Sequence, residues 1–111
     1  MVMTLETDVL KKMHRRIIKG FLDVLVLAEL RKRVMSGYDI IGFIHNKFRL
    51  LVSSGTVYSL LYSLEREGLI EGRWNQRKRV YKLTDKGEKT INTILNANND
   101  IQYLVKNLLK C

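Results

Sequence analysis

The chain has 111 residues, 46% of them hydrophobic and none of them proline, which suits one domain with one packed core and excludes both a two-domain protein and a disordered chain. Its 20 lysines and arginines against 11 acids leave a net charge of +9, and a small domain this basic is expected to meet a polyanion, nucleic acid first among them. One cysteine, Cys111, rules out an internal disulfide, and the longest apolar run, residues 24–28, is far short of a membrane span; with no signal-peptide pattern either, a cytoplasmic protein with no membrane partner is expected.

In chain order, residues 7–19 read as a first helix, capped by Thr7 or Asp8, with Val9, Leu10, Met13 and Ile17 recurring at spacings of three and four and Lys11, Lys12, Arg15 and Arg16 on the other face. Gly20 interrupts it. Residues 21–33 are apolar nearly all round, the pattern of a central buried helix, with Arg31, Lys32 and Arg33 at the end that favours cations. Ser36-Gly37 reads as a turn, and residues 37–48 as a third helix with the stripe Ile40, Ile41, Ile44, Phe48. Ser53-Ser54-Gly55-Thr56 is a strong helix start, since hydroxyls accept from the orphan amides of a first turn. The fourth helix runs to about Glu67, packs inward with Val57, Leu60, Leu61 and Leu64, and stops at Gly68.

Residues 69–74 and 79–83 alternate as two strands of a hairpin with a basic tip, residues 75–78. Thr84 or Asp85 then caps a last helix of up to ~25 residues, ending near Leu109. Within it Ile91, Ile94, Asn98, Ile101, Val105 and Leu108 step by three and four alternately, as heptad a and d positions do. The stripe, widened by Leu95, Leu104 and Leu109, exceeds what a small domain covers, so a homodimer is expected, Leu10, Met13 and Ile17 of the first helix forming its second part. The alternative is a helix docked on its own domain.

A helix-turn-helix lays its second helix in the DNA major groove, and here that pair is residues 37–48 and 53–67. The outward face of the second member carries Ser54, Thr56, Tyr58, Ser59, Tyr62 and Ser63, short hydroxyls and rings rather than the charges of an ordinary solvated face. Such groups approach base edges and phosphates closely. Thr56, Ser59 and Tyr62 are placed on bases and Ser54 and Tyr58 on phosphate; the two tyrosines also fit a core or interface role. Arg77, Lys78 and Arg79 of the hairpin tip, and Ser36 and Tyr38 at the start of the third helix, are further candidates for DNA contact, the last two on phosphate.

Residues 54–58 (Ser-Gly-Thr-Val-Tyr), Leu61, residues 64–70 (Leu-Glu-Arg-Glu-Gly-Leu-Ile), residues 79–84 (Arg-Val-Tyr-Lys-Leu-Thr) and Gly87 closely resemble the PadR family of transcriptional regulators. Residues 20–25 and 37–40 resemble that family's first-helix and second-helix signatures, so the resemblance covers roughly residues 17–90. It implies a winged helix, a dimer, a palindromic operator in double-stranded DNA and usually repression, with residues 54–67 as recognition helix and 71–82 as wing. The chain departs from the family pattern at Ser63, commonly a basic residue, and at Met35-Ser36, where a proline is common. Larger members carry a longer C-terminal domain, so a built-in effector pocket is not expected here and no particular small-molecule effector is implied.

The expected fold is therefore mainly α with a small β-hairpin: a winged helix-turn-helix over residues 1–84 and a long dimerisation helix over residues 85–111. No catalytic constellation occurs, and no cofactor or metal is expected. His14 and His45 stand far apart without companion ligands, Gly55 lacks a P-loop's lysine and spacing, and Asp85 and Glu88 fit a helix start. Three functions remain: a sequence-specific DNA-binding regulator, a non-specific architectural DNA binder of the same fold, and a winged helix used for protein contacts. The hydroxyl-rich face favours the first, and the charge disfavours the third.

Overall fold

The computed structural model describes residues 4–110, so the terminal Cys111 lies outside the described residues. These form six helices and a three-stranded sheet: α1 (Thr4–Gly20), α2 (Leu22–Leu30), β1 (Met35–Ser36), α3 (Gly37–Phe48), α4 (Ser54–Arg66), β2 (Ile70–Asn75), β3 (Lys78–Leu83), α5 (Asp85–Asn96) and α6 (Asn98–Leu109). The sheet is antiparallel in the order β1-β3-β2, with Met35 opposite Tyr81 and Gly72 opposite Tyr81 on the other side. It is the winged helix expected, and no described helix is long and apolar enough to cross a membrane.

The core follows the apolar periodicity. Leu22, Val26, Leu27 and Leu30 make α2 the central helix; Ile40 and Ile44 of α3, Val57, Leu61 and Leu64 of α4, and Ile70 and Tyr81 of the sheet close round it. Each function-bearing helix is bounded by its own chemistry. The Ser53 hydroxyl accepts from the Thr56 amide at 3.0 Å to start α4. At its end Gly68 takes φ 79, the Gly68 amide donates to the Glu65 carbonyl and the Leu69 amide to the Leu64 carbonyl, both at 3.0 Å. That pair of hydrogen bonds needs a left-handed residue, which glycine supplies without strain.

Four expectations are corrected. Helix α1 is already formed at Thr4, so Thr7 and Asp8 lie inside it rather than capping it. Residues 31–33 fall outside α2; Lys32 and Arg33 instead pair with Glu29, at 3.9 and 3.1 Å. Ser36-Gly37 is not a turn: Ser36 ends the strand β1, whose backbone pairs with β3, and Gly37 opens α3. The last helix is two: at Ala97 ψ is 14°, and its amide is shared between the Thr93 and Ile94 carbonyls, 3.1 Å from each. Asparagines at 96, 98 and 99 flank this joint, and Asn side chains compete with the backbone for helical hydrogen bonds.

Ser36 also caps α3. Its hydroxyl accepts from the Asp39 amide at 3.1 Å, and its own amide donates to the Asp39 carboxylate at 3.0 Å, a closed capping box. The bond from the Ser36 amide holds the Asp39 carboxyl below its ordinary range, helped by the Ser36 hydroxyl, Lys78 and Arg33 against a smaller opposing effect of burial. Ser36→Ala should cost about 1 kcal/mol in thermal unfolding. Since the folded pKa of Asp39 is lowered, its contribution is complete above the ordinary aspartate pKa and is lost as pH falls through the lowered value. The stability gap between wild type and Asp39→Asn should accordingly be widest at neutral pH and close on acidification; a gap that grows toward acid would contradict the box.

Candidate DNA interface

The faces of α4 divide as the sequence pattern requires. Val57, Leu61 and Leu64 are buried, whereas Ser54, Thr56, Tyr58, Ser59, Tyr62 and Ser63 are all exposed. Tyr62 is 66% exposed and Tyr58 48%, so neither belongs to the protomer's core. The Ser53 hydroxyl donates to the Thr56 hydroxyl at 2.9 Å, which leaves Thr56 its own proton to offer outward. Tyr58 leans over the start of α3: a Cβ on Gly37 would come 2.5 Å from its ring, so glycine there makes room for the aromatic side chain. Tyr38, one residue on, is 78% exposed beside it.

The wing stands against this helix. Gln76 and Arg77 form its turn, and Arg77 has no carboxylate partner among the described residues. Lys78 is exposed, 3.8 Å from the Asp39 carboxylate. Arg79 is different from the expectation of three free cations. Its guanidinium meets the Glu65 carboxylate of α4 at 3.0 Å and lies 5.8 Å from the ring centres of both Trp74 and Tyr81. The same Glu65 oxygen accepts from the Gly72 amide at 3.0 Å. Arg79 crosses directly over Gly72, where any side chain would strike it. This residue ties the wing to α4, its charge largely answered by Glu65.

Ser36 is a second correction. It is 3% exposed and its hydroxyl is engaged in the capping box, so it does not face a phosphate; Tyr38 remains the open group at this end of α3. Sequence reasoning missed Glu65, which carried no signal beyond its charge, and Trp74. The signal for Trp74 was present: it alternates in register with Ile70 and Gly72 and stands opposite Arg79.

The expected dimer residues divide as well. Leu10, Met13 and Ile17 on α1 are about half exposed, as is Val105, and Leu108 is more so; Asn98 is exposed, and Ile94 and Ile101 are half-buried. Ile91 is corrected: it is fully buried in its own protomer, where α5 packs on α2, and is not free for a partner. The heptad also breaks at Ala97, so the stripe does not run along one straight rod.

A hydroxyl and aromatic helix face beside a basic wing has the groups to meet base edges and phosphates of double-stranded DNA. Residues 26–93 match the model of the transcriptional regulator PadR-like family. The chain belongs to the PadR-like family of transcriptional regulators. Comparison with curated protein sequences gave no match. Among solved structures, this PadR-like chain superposes on a PadR family regulator from Eggerthella lenta with a TM-score of 0.76, at 23% identity over 96% of this chain and 97% of that one. A PadR-like regulator from Bacillus cereus gives 0.70 at 26% identity, over 86% and 98%. The Bacillus subtilis PadR, solved in complex with operator DNA, gives 0.61 at 31% identity over 67% of this chain and 46% of that one.

Proposed function

We propose that the protein is a sequence-specific regulator of transcription that binds a palindromic operator as a homodimer and represses. The observation that carries the reading is the exposed face of α4, Thr56, Ser59 and Tyr62, presented beside the basic wing while the opposite face of the helix is the core. The likeness to the operator-bound Bacillus subtilis protein supports it. Thr56, Ser59 and Ser63 step by three and four along one line, with Tyr62 beside them, so Thr56, Ser59 and Tyr62 reach base edges; Ser54, Tyr58, Tyr38, Arg77 and Lys78 take phosphates. The dimer places two such helices on two half-sites, its contacts coming from Leu10, Met13 and Ile17 of α1 and from Ile94, Asn98, Ile101, Val105 and Leu108. Residues 85–111 thus act as its dimerisation arm, with α5 rooted in the core and α6 free. A dimer on a promoter blocks polymerase by occupancy, which is why repression is the reading.

An operator is first selected from a random duplex pool. Ser59→Ala and Tyr62→Ala should then each weaken operator binding by about 1–3 kcal/mol while random-sequence binding changes little. If both affinities fall in parallel, or neither moves, α4 is not reading bases, and an architectural DNA binder becomes the better account.

A further inference from the structure

Between the start of α3, with Tyr58 of α4 leaning over it, and the inner face of the wing runs an open groove of about 370 Å³. Tyr38 and Tyr58 line one side and Trp74 the other, Arg77 and Lys78 supply the charge, and Arg79, paired with Glu65, lines it as well; no acidic side chain lines it. Trp74 is the unexpected member. Gly72 pairs with Tyr81 and Trp74 with Arg79, so these side chains share one face of the hairpin, and Tyr81 buries that face against the domain. Trp74 continues the core-facing row beyond the core's edge. Arg79 covers part of the ring, yet 69% of the residue remains exposed. The part of the indole that Arg79 leaves open costs hydration free energy with nothing packed on it.

We infer that Trp74 is a DNA contact, packing its open ring against deoxyribose of the strand that passes between α4 and the wing. The inference rests on the proposed function and deepens it. A helix in the major groove and a projection reaching the flanking minor groove straddle one sugar–phosphate backbone, and the groove lies where that strand must run. Its chemistry suits that occupant: Arg77 and Lys78 meet phosphates, the tyrosine hydroxyls donate to them, and a flat apolar ring matches the apolar face of a sugar. The contact reads no base, so it serves every sequence.

Trp74 is the chain's single tryptophan, so its emission reports the wing directly. The probe is a fluorescein-labelled mixed-sequence duplex at low salt, with binding followed independently by anisotropy. As duplex saturates the protein, Trp74 emission should be quenched and shift to the blue. Trp74→Ala should bind about tenfold more weakly with an unchanged slope of log affinity against log salt, because no counterion is released by a sugar contact. Arg77→Ala and Lys78→Ala should instead each lower that slope by about 0.9. Where the alanine variant folds poorly, Trp74→Phe carries the test, with a smaller loss and the same slope. Unchanged emission on a duplex that anisotropy shows to be bound overturns the contact and leaves the proposed function standing. So does wild-type affinity in the variant, or a reduced slope, which would give the ring the task of holding the cations. Failure to bind any duplex overturns both.

Discussion

A chain ended after Ala97 should be a folded monomer of reduced mass and should lose about 10²–10⁴-fold in affinity for a two-half-site operator. None of the residues of α6 is buried, and Leu104, Val105, Leu108 and Leu109 range from 48% to 79% exposed. Removing them therefore takes little from the protomer's core, whose last anchor, Ile91, stays with α5. What should be lost is the proposed contact with a second protomer. Once one half-site is occupied, a dimer binds the second intramolecularly at high effective concentration, whereas two monomers must each bind from bulk solution. Helix α1 keeps its own exposed Leu10, Met13 and Ile17, but this stripe alone is too narrow to hold the pair. Light scattering should give one protomer's mass for the shortened chain and twice 13.0 kDa for the full one, with circular dichroism reporting an intact fold. A full-length chain that scatters as a 13.0 kDa species would end the dimer proposal.

Gly87→Ala should be the most damaging single methyl in the molecule. The start of α5 is fastened to the end of α4: the Thr84 amide donates to the Leu69 carbonyl at 3.1 Å, the Thr84 hydroxyl to the Gly68 carbonyl at 2.6 Å, and the Lys86 ammonium to the Glu67 carbonyl at 2.8 Å. Gly87 lies buried in this junction, its amide donating to the Thr84 hydroxyl at 3.1 Å. A Cβ there would overlap the Leu69 carbonyl oxygen and come within 3.0 Å of Leu83 Cδ2. Backbone cannot step aside as a side chain does, so α5 must move off the wing. Overpacking of this kind costs about 3 kcal/mol, and the better helix propensity of alanine returns about 1 kcal/mol. A fall in Tm of about 8 °C is expected; an unchanged Tm would mean that the junction is looser than it stands here. Gly37→Ala offers the contrast, because the atoms it meets are the end of the Tyr58 ring, which can turn. Its cost should appear in DNA affinity more than in stability.

The sequence by itself determined the elements whose signals are local. The bounds of α3 were legible from helical periodicity and those of α4 from periodicity together with its serine cap: the expected 37–48 is the observed Gly37–Phe48, and the expected stop at Gly68 is a left-handed residue closing the helix. The two strands of the wing and the split of α4 into an apolar and a hydroxyl face were legible for the same reason. Most of the family motifs lie in these segments and within the matched residues 26–93, while the first-helix signature at residues 20–25 falls outside the match.

Only the tertiary structure decided what depends on a distant partner. A two-residue strand such as β1 has no pattern of its own and exists because Tyr81 and Val80 stand across from it. Ile91 has the spacing of a heptad residue, and periodicity cannot say whether α2 or a second chain will cover it. Arg79 looked like its neighbours Arg77 and Lys78, yet the hairpin register points it inward, 14 positions from the Glu65 that neutralises it. Ser36 had two uses for one hydroxyl, and the nearer, the Asp39 amide three residues on, took it once the α3 start was fixed by the sheet. In each case local sequence specifies which groups are available, and the packing of remote segments selects which of them remain exposed to meet DNA or a second protomer.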